Sequence, residues 1–184
     1  MNSYQITDFC HEMVKSHIAP GDLCIDATMG NGNDTLFLCQ SVGKDGKVLA
    51  FDIQPSALEH TREKCLQYQN YELFLDSHEH MAKYALANSV SCILFNLGYL
   101  PAGDHGVSTR SDTTIKAMEA GLALLKKNGV MSICIYSGGD SGFAERDAVL
   151  AWLKGLDHKK YLVLVTEYYN RPNHPPIPAL VVRM

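Results

Sequence analysis

Short apolar runs alternate with longer amphipathic stretches along this sequence. Apolar side chains recur at helical spacing from about Tyr4 to Ala19, and Pro20-Gly21 ends that pattern. The next segments predict a strand at Leu23 to Ala27, a helix at Asp34 to Ser41 and a strand at Lys47 to Ile53. Together they form a β-α-β unit, which pairs its two strands in parallel. The pattern therefore predicts an α/β protein.

The rest of the sequence continues the alternation. Further helices are predicted at Pro55 to about Tyr68, His78 to Ala87, Thr113 to Lys127 with Gly129 as its stop, and Phe143 to Gly155. Further strands are predicted at Tyr71 to Leu75, Val90 to Asn96, Val130 to Tyr136, Tyr161 to Tyr168 and Ala179 to Arg183. The link from Asn170 to Pro178 leaves no room for a helix, so the last two strands should form an antiparallel hairpin at the sheet edge.

The number of strands and the direction of the last strand distinguish between two folds that bind nucleotide-like ligands. A dinucleotide-binding fold usually has six parallel strands. The predicted arrangement instead resembles the Rossmann-like, seven-stranded fold of S-adenosylmethionine (SAM)-dependent methyltransferases, whose last strand is antiparallel. The length of 184 residues and the apolar content of 46% suit one such domain over residues 1–184.

Charge and cysteine content restrict the class of protein and the cellular compartment that fit this sequence. The net charge of -4 and the pI near 6.0 argue against a protein that coats nucleic acid, although a local basic patch is compatible with them. No apolar run reaches the roughly 20 residues that cross a bilayer, so we expect a cytoplasmic protein with no membrane partner. The cysteines lack Cys-x-x-Cys spacing and are expected to be reduced and buried: Cys10, Cys24, Cys39, Cys65, Cys92 and Cys134.

The strongest local feature is the glycine loop Asp26-Ala27-Thr28-Met29-Gly30-Asn31-Gly32-Asn33-Asp34, where the first strand passes into a helix. Gly30 and Gly32 can adopt positive φ, and the amides at the start of the helix can receive polar or anionic groups. A dinucleotide loop reads G-x-G-x-x-G, and its third glycine is missing here. The loop indicates a nucleotide-like ligand and disfavours a nicotinamide cofactor, with a plain tight turn as the alternative.

Polar residues also follow the second and third strands. Asp52 comes about 20 residues after the glycines, where an acidic side chain can accept both hydroxyls of a ribose, and Gln54 follows it. A helix cap or a solvated acid is the alternative for Asp52. In Asp76-Ser77-His78, a side-chain acceptor could meet an adenine amino group, or Asp76 could cap the next helix. The sequence leaves binding and capping open.

The segment Phe95-Asn96-Leu97-Gly98-Tyr99-Leu100-Pro101 follows the fourth strand, at the usual crevice position for ligands in an open α/β sheet. It loosely resembles the N/D-P-P-Y loop of amino-directed methyltransferases, in which a side-chain amide and a backbone carbonyl accept hydrogen bonds from the target amine. Leu97-Gly98 replaces both prolines of that loop. The alternatives are a turn role for Asn96 and a packing role for Tyr99.

Nearly the whole sequence resembles the YtqB-like, or MnmM, family of bacterial class I SAM-dependent methyltransferases. The likeness lies in the glycine loop, the segment after the fourth strand, Tyr136-Ser137-Gly138-Gly139-Asp140 and His174-Pro175-Pro176. The resemblance implies methylation of the 5-aminomethyl group of 5-aminomethyl-2-thiouridine at the tRNA wobble position. It also implies a SAM site lined by Asp26, Gly30, Gly32, Asp52, Gln54, Asp76 and His78, to which we add the adjacent Asn31, Asn33, Ser77 and Asn96.

Methyl transfer from SAM needs a neutral amine aligned with the donor and no covalent nucleophile. We expect Asn96 and the Leu97 carbonyl to accept hydrogen bonds from the amine. Tyr99 and Tyr136 are expected to shape the pocket or to stack on the base. His105, with Asp104, is the expected proton relay. His78 and His80 lack an obvious third ligand, so we expect no metal.

The expected partner is the anticodon stem-loop of a tRNA, whose unpaired bases a shallow site can contact. The candidates for RNA contact are Arg110, Lys116, Arg171, His174 and the run His158-Lys159-Lys160, within which Lys159 and Lys160 more simply decorate a surface. The acidic net charge favours a small footprint, or a homodimer that pools two weak patches.

Three alternatives stay open on the sequence alone. A methyltransferase could act on rRNA, another nucleobase or a small molecule, because the cofactor half does not specify the substrate. A nicotinamide-dependent reductase is disfavoured by the glycine loop and by the seventh strand. A nucleotide-sensing or RNA-binding module without catalysis is disfavoured by the intact segment from Asn96 to Pro101.

Overall fold

The computed structural model describes residues 5–98, 111–137 and 139–184, and it describes side chains throughout these ranges except at 139–141. The helices are α1 (Ile6–Lys15), α2 (Asn33–Val42), α3 (Pro55–Lys64), α4 (Ser111–Leu124) and α5 (Gly139–Lys154), with a 3₁₀ helix at His78–Lys83. The strands are β1 (Leu23–Asp26), β2 (Lys47–Asp52), β3 (Tyr71–Leu75), β4 (Val90–Leu97), β5 (Leu125–Ile135), β6 (Tyr161–Val165) and β7 (Ile177–Arg183).

All seven strands form one sheet in the order β3-β2-β1-β4-β5-β7-β6. Strands β1 to β5 pair in parallel, whereas β7 is antiparallel to both β5 and β6. The α/β class and the antiparallel hairpin expected from the sequence are confirmed. The chain leaves β1 toward β2 on one side and returns to β4 on the other, and such a switch point opens a crevice at the carboxyl ends of the strands.

Alternating side chains of the central strands fill two cores, one on each face of the sheet. One core contains Cys24, Val48 and Cys92, and the other contains Ile25, Leu49 and Ile93. All six cysteines are buried and free, as the apolar sequence around them predicted. Within the described ranges, none of the helices combines the length and apolarity that crossing a membrane requires.

The boundary between α4 and β5 differs from the sequence expectation. The helix ends three residues before Lys127, and Gly129 lies inside β5 instead of stopping the helix. Leu125 already pairs with Val90 of β4, and the pairing register then shifts, with Asn128 at a φ of 64°. Backbone pairing with β4 therefore prevails over the helical spacing of the apolar residues in this segment.

Several other elements are shorter than expected. The 3₁₀ helix ends before Ala87, β6 ends before Tyr168, and α3 ends before Tyr68. At the end of α1, the N–H of Ser16 bonds back to the carbonyl of Val14, two residues earlier, whereas at the end of α3 the N–H of Cys65 makes the ordinary helical bond to Thr61, four residues earlier. The expected start of the first helix, Tyr4, lies outside the described residues.

Gly46 provides a test of the turn that joins α2 to β2. A Cβ at this position would stand 2.6 Å from the carbonyl oxygen of Val42 and 2.8 Å from that of Asp22. Because backbone atoms have little freedom to move aside, Gly46→Ala should destabilise the fold by roughly 3 kcal/mol. Gly21→Ala is the control, since Gly21 has a φ of 91° but open space around it, and should cost about 1 kcal/mol. Urea unfolding followed by circular dichroism measures both, and equal losses would contradict the steric argument.

Candidate cofactor and active site

The glycine loop that connects β1 to α2 is held from both sides by the neighbouring strands. The amide of Ala27 donates to the Leu94 carbonyl of β4 at 2.9 Å. The amide of Met29 donates to the Phe51 carbonyl of β2 at 3.0 Å. The loop therefore begins as a continuation of the strand ladder, directly at the switch point of the sheet.

Both glycines of the loop adopt the left-handed conformation, with φ of 49° at Gly30 and 75° at Gly32. A Cβ on Gly32 would lie 2.8 Å from the Cα of Thr61 in α3, so this glycine is also required for packing between the loop and α3. The side chain of Asn33 is exposed and accepts a hydrogen bond from Lys64 of α3. These packing contacts were not visible in the sequence, which indicated only a close approach to a ligand.

Asp26 ends β1 and is fully buried. Thr35 Oγ1 donates to its Oδ2 at 2.6 Å, and the amide of Thr28 donates to its Oδ1 at 3.2 Å. Burial, together with the nearby charge of Asp34, raises the pKa of Asp26 well above its ordinary value. The carboxyl group of Asp26 therefore holds the glycine loop through the amide of Thr28 and the start of α2 through the hydroxyl of Thr35.

Asp52 ends β2 and is half-buried. Its Oδ2 accepts from the amide of Gly30 at 3.0 Å, and its Oδ1 accepts from the amide of Gln54 at 2.9 Å. Gln54 is the N-cap residue of α3, but its own side chain makes no capping bond. A carboxylate has about four lone-pair sites, so Asp52 can hold the loop and still accept hydroxyl groups of a ligand.

The end of β3 settles the capping question that the sequence left open. Ser77, not Asp76, is the N-cap residue of the 3₁₀ helix, and its side chain accepts from the amide of Glu79. Asp76 instead accepts from His80 Nδ1 at 2.7 Å and from the Tyr84 hydroxyl at 2.8 Å. The hydrogen bond from His80 lowers the pKa of Asp76 despite partial desolvation.

His78 points back toward the glycine loop. Its Nδ1 lies 3.3 Å from the carbonyl oxygen of Ala27, and its ring contacts the ring of Phe95 edge to face. Burial lowers the pKa of His78, which favours the neutral ring. Because a carbonyl oxygen can only accept, Nδ1 carries the proton and Nε2 is left as an acceptor. Among the residues that the structure describes, no three side chains of metal-binding type are grouped closely enough to hold a metal ion.

Asn96 lies near the end of β4 and is held on two sides. Its backbone amide donates to Thr28 Oγ1 at 2.7 Å, and its Nδ2 donates to Asp34 Oδ2 at 2.6 Å. Asp34 in turn lies 2.7 Å from His11 Nε2 through its other oxygen. Sequence reasoning missed His11 and assigned no binding role to Asp34. The position of Asp34 inside the glycine loop was a usable signal, whereas His11 carried none.

The predicted substrate residues that the structure describes lie in two places, at the ends of β4 and β5 and in the link between β6 and β7. Leu97 is buried at the end of β4, and its carbonyl, an expected amine acceptor, already accepts from the amide of Tyr136 at 3.2 Å. Burial raises the pKa of Tyr136, which lies directly after β5. Arg171 stacks over Tyr168, and His174 contacts Phe143 edge to face, both in the link between β6 and β7. The remaining predicted residues lie outside the described ranges: Tyr99, Leu100, Pro101, Asp104, His105 and Arg110.

The charges at this edge of the sheet fit SAM. Asp52 and Asp76 follow adjacent strands, which lie about 4.8 Å apart, and Asp34 lies on the other side of the glycine loop. SAM has a positive sulfonium and a positive ammonium group, so these carboxylates attract it. A dinucleotide would bring a negative pyrophosphate to the same edge, which the carboxylates disfavour.

The buried carboxyl group of Asp26 predicts a pH-dependent effect on stability. Its pKa in the folded protein lies above the unfolded value near 3.8, so the unfolded chain loses this proton first as the pH rises. Asp26→Asn should therefore raise the free energy of unfolding by about 1 kcal/mol at pH 7, and this gain should vanish below about pH 4. Urea titrations between pH 3.5 and 8 measure it, with the exposed Asp45→Asn as control. A gain that does not depend on pH would refute the assignment.

Comparison with known proteins places this site in a family. The family model described as "Putative rRNA methylase" matches residues 48–182. A Clostridium thermocellum protein solved under the same description is 42% identical, with 97% of each chain covered and a TM-score of 0.94. A Streptococcus mutans protein, solved as a methyltransferase in complex with S-adenosylhomocysteine (SAH), is 37% identical over 98% of each chain, with a TM-score of 0.89.

A curated relative adds a substrate name. The chloroplast tRNA (mnm(5)s(2)U34)-methyltransferase of Arabidopsis thaliana is 36% identical over 181 residues, which cover 92% of this chain. The matched part spans 66% of that relative's own length. The match of the family model over most of the chain, the shared fold and the SAM-compatible edge agree with the resemblance inferred from the sequence: the chain belongs to the rRNA methylase family of SAM-dependent methyltransferases.

Proposed function

We propose that this chain N-methylates the 5-aminomethyl group of 5-aminomethyl-2-thiouridine at the wobble position of tRNA, with SAM as the methyl donor. The observation that carries the proposal is Asn96, a half-buried amide fixed at the end of β4 beside the acidic edge that fits SAM. The Arabidopsis relative, which is named for a thiolated uridine at tRNA position 34, supports this choice of substrate.

The chain's task in this reaction is to present the amine without its extra proton. SAM supplies a methyl group that is activated as an electrophile by the sulfonium. An alkyl ammonium group resembles that of lysine and stays largely protonated near pH 7 in water. Asn96 Oδ1 and the second lone pair of the Leu97 carbonyl can accept the two N–H groups of the neutral amine, which leaves its lone pair for the methyl group.

The RNA end of the site is assigned to the link between β6 and β7. Because β7 is antiparallel to both β5 and β6, the carboxyl end of β6 lies on the same edge of the sheet as Asn96. Arg171, stacked on Tyr168 at 4.8 Å, offers a flat cation for a base or a phosphate, and His174 lies in the same link. This small patch suits the anticodon stem-loop, and a homodimer would double it. With tRNA as substrate, the expected compartment is the cytoplasm.

An rRNA substrate is the second candidate, and the description of the matching family favours it. The acceptor geometry at Asn96 suits any primary amine, so the substrate must be decided by experiment. A SAM-binding protein that transfers no methyl group is the remaining alternative.

The first experiment is transfer of a labelled methyl group from SAM to tRNA that carries 5-aminomethyl-2-thiouridine, with unmodified tRNA and rRNA in parallel and nucleoside mass analysis of each product. We expect a methylaminomethyl nucleoside in the first sample only. Label in rRNA alone would replace the tRNA proposal with the second candidate. SAM binding without label in any sample would leave the family assignment standing and remove the proposed reaction.

Asn96→Ala provides the control for this assay. The substitution should lower kcat roughly 100-fold while the Kd for SAM measured by calorimetry changes little, because the proposed role of the Asn96 side chain is to accept from the amine and the predicted SAM site has many other residues. Gln40→Ala, at an exposed position of α2, should leave both quantities unchanged. Full turnover by the Asn96 variant would remove this residue from the amine site.

A further inference from the structure

His11, Asp34 and Asn96 form a hydrogen-bonded chain across α1, α2 and β4, and apart from the attraction of SAM by the Asp34 carboxylate, the proposed reaction gives its first two members no role. Asn96 Nδ2 donates to Asp34 Oδ2 at 2.6 Å, and His11 Nε2 lies 2.7 Å from Asp34 Oδ1. The side chains of His11 and Asp34 are only 16% and 10% exposed. We propose that Asp34, held by His11, is a positioning residue that determines which end of the Asn96 amide meets the substrate amine; this inference rests on the proposed function.

The orientation of the Asn96 amide matters because its two ends have opposite hydrogen-bonding character. The nitrogen end only donates and the oxygen end only accepts, so a flipped amide would present N–H groups to the N–H groups of the substrate. The terminal torsion of asparagine has a broad, roughly two-fold preference, so the rotamer alone does not select one orientation. A carboxylate can only accept, and Asp34 therefore retains the nitrogen end and directs Oδ1 away from itself.

The side chain of Asp34 contacts residues of α1 and β4 and does not cap α2. Asp34 lies in the first turn of α2, yet that helix has no side-chain cap bond, and both carboxylate oxygens point sideways to other elements. The ring of His11 stacks on the ring of Phe37, with centroids 3.9 Å apart and planes within 4°. Stacking fixes the plane of the imidazole, and the imidazole fixes the carboxylate. The backbone N–H of Asn96 donates separately to Thr28 Oγ1, so the main chain at this residue is held independently of the side-chain amide.

The test is a double-mutant cycle on kcat for methyl transfer to the modified tRNA. Asp34→Ala should lower kcat roughly 10- to 100-fold. In the Asn96→Ala background, the same substitution should cause no further loss of kcat at saturating SAM, because the proposed effect of Asp34 on the transfer step passes through Asn96. A merely structural role would give losses that multiply in the double variant, and that result would overturn the proposal. Gln40→Ala on the same helix is the matched control.

A second readout does not depend on activity. In ¹⁵N-labelled protein, one Nδ2 proton of Asn96 should resonate downfield and exchange slowly because it bonds to a carboxylate, and Asp34→Ala should abolish both properties. An unchanged Asn96 amide signal in that variant would overturn the proposal. If wild-type protein methylates no tRNA while the amide signal responds as expected, the proposed reaction fails and the positioning contact stands.

His11 supplies a milder variant in case Asp34→Ala does not fold. His11→Phe keeps a ring to stack on Phe37 but removes the nitrogen that contacts Asp34. It should lower kcat about threefold to tenfold and should have no effect in the Asn96→Ala background. An unchanged kcat would show that His11 does not hold Asp34.

A different observation concerns the outer edge of the sheet. Within the described residues, β6 pairs only with β7, and its other edge is open. Leu162, Leu164 and Val165 of this strand are each 45–47% exposed, and Met184 beside them is 50% exposed. A groove of about 630 Å³ between α5 and β6 continues the apolar surface. An open edge without an internal charge invites strand pairing.

We also infer that a second copy of this chain pairs with β6 in antiparallel fashion about a two-fold axis. The charges that flank the strand favour this occupant over an unrelated strand. Lys159 and Lys160 precede the strand, with one carboxylate, Asp157, 4.0 Å from Lys160, and Glu167 follows the strand; all of these residues are exposed. An antiparallel copy brings the lysine end of one strand to the glutamate end of the other, at both ends of the pair. The same pairing places Leu162 of one chain beside Leu164 of the other.

Sedimentation velocity at several protein concentrations tests this interface. The wild-type chain should form a dimer, and Leu164→Lys should make it monomeric by placing two charges near the axis. Leu66→Lys, at another leucine that is 75% exposed, is the control and should remain dimeric. Glu167→Lys should weaken the dimer, and adding Lys159→Glu should restore it. A monomeric wild-type chain, or a dimer unaffected by Leu164→Lys, would overturn the inference.

Discussion

Parallel pairing of β1 with both β2 and β4 is the constraint on which the whole site depends. It brings the carboxyl ends of these strands side by side, so that Asp26, Asp52 and Asn96 meet although long stretches of sequence separate them. The ladder continues into the glycine loop through the amides of Ala27 and Met29. The loop consequently takes its position from the sheet and not from its own sequence. The candidate site is thereby built on the central strands of the sheet, and strands hold side chains more precisely than loops do.

The meeting of these strand ends also brings several carboxyl groups close together. Carboxyl groups from β1, β2 and the start of α2 lie close enough for Asp34 to raise the pKa of Asp26, so the site opposes folding to some extent. Hydrogen-bond donors offset part of this cost: Thr35 for Asp26, Asn96 and His11 for Asp34, and backbone amides for Asp52. A cationic ligand would offset more of it. Binding of SAM to this edge is therefore coupled to the stability of the fold by linkage.

The sequence predicted those features that depend on local chemistry. Glycines at positive φ and an acid at the end of β2 have few alternatives at those positions, and the structure places both where they were expected. Capping at the end of β3 was open because adjacent residues can both cap, and the backbone conformation at Ser77 decides it. His11 was missed because a histidine on an amphipathic helix gives the same pattern whether it faces solvent or a carboxylate 23 residues away. Such a contact depends on how α1 docks, which periodicity does not encode.

An acidic protein with an RNA substrate must separate two electrostatic tasks. The carboxylates beside β1, β2 and β3 attract the cationic donor, and the same charges repel phosphates. In the proposed reaction, an uncharged base with its amine approaches that half, and the phosphates lie near the link after β6 that contains Arg171. Asn96 lies between these halves, at the end of β4. The proposed division would let a chain with a net charge of -4 act on RNA, because electrostatic repulsion limits contact to a flipped or unpaired base.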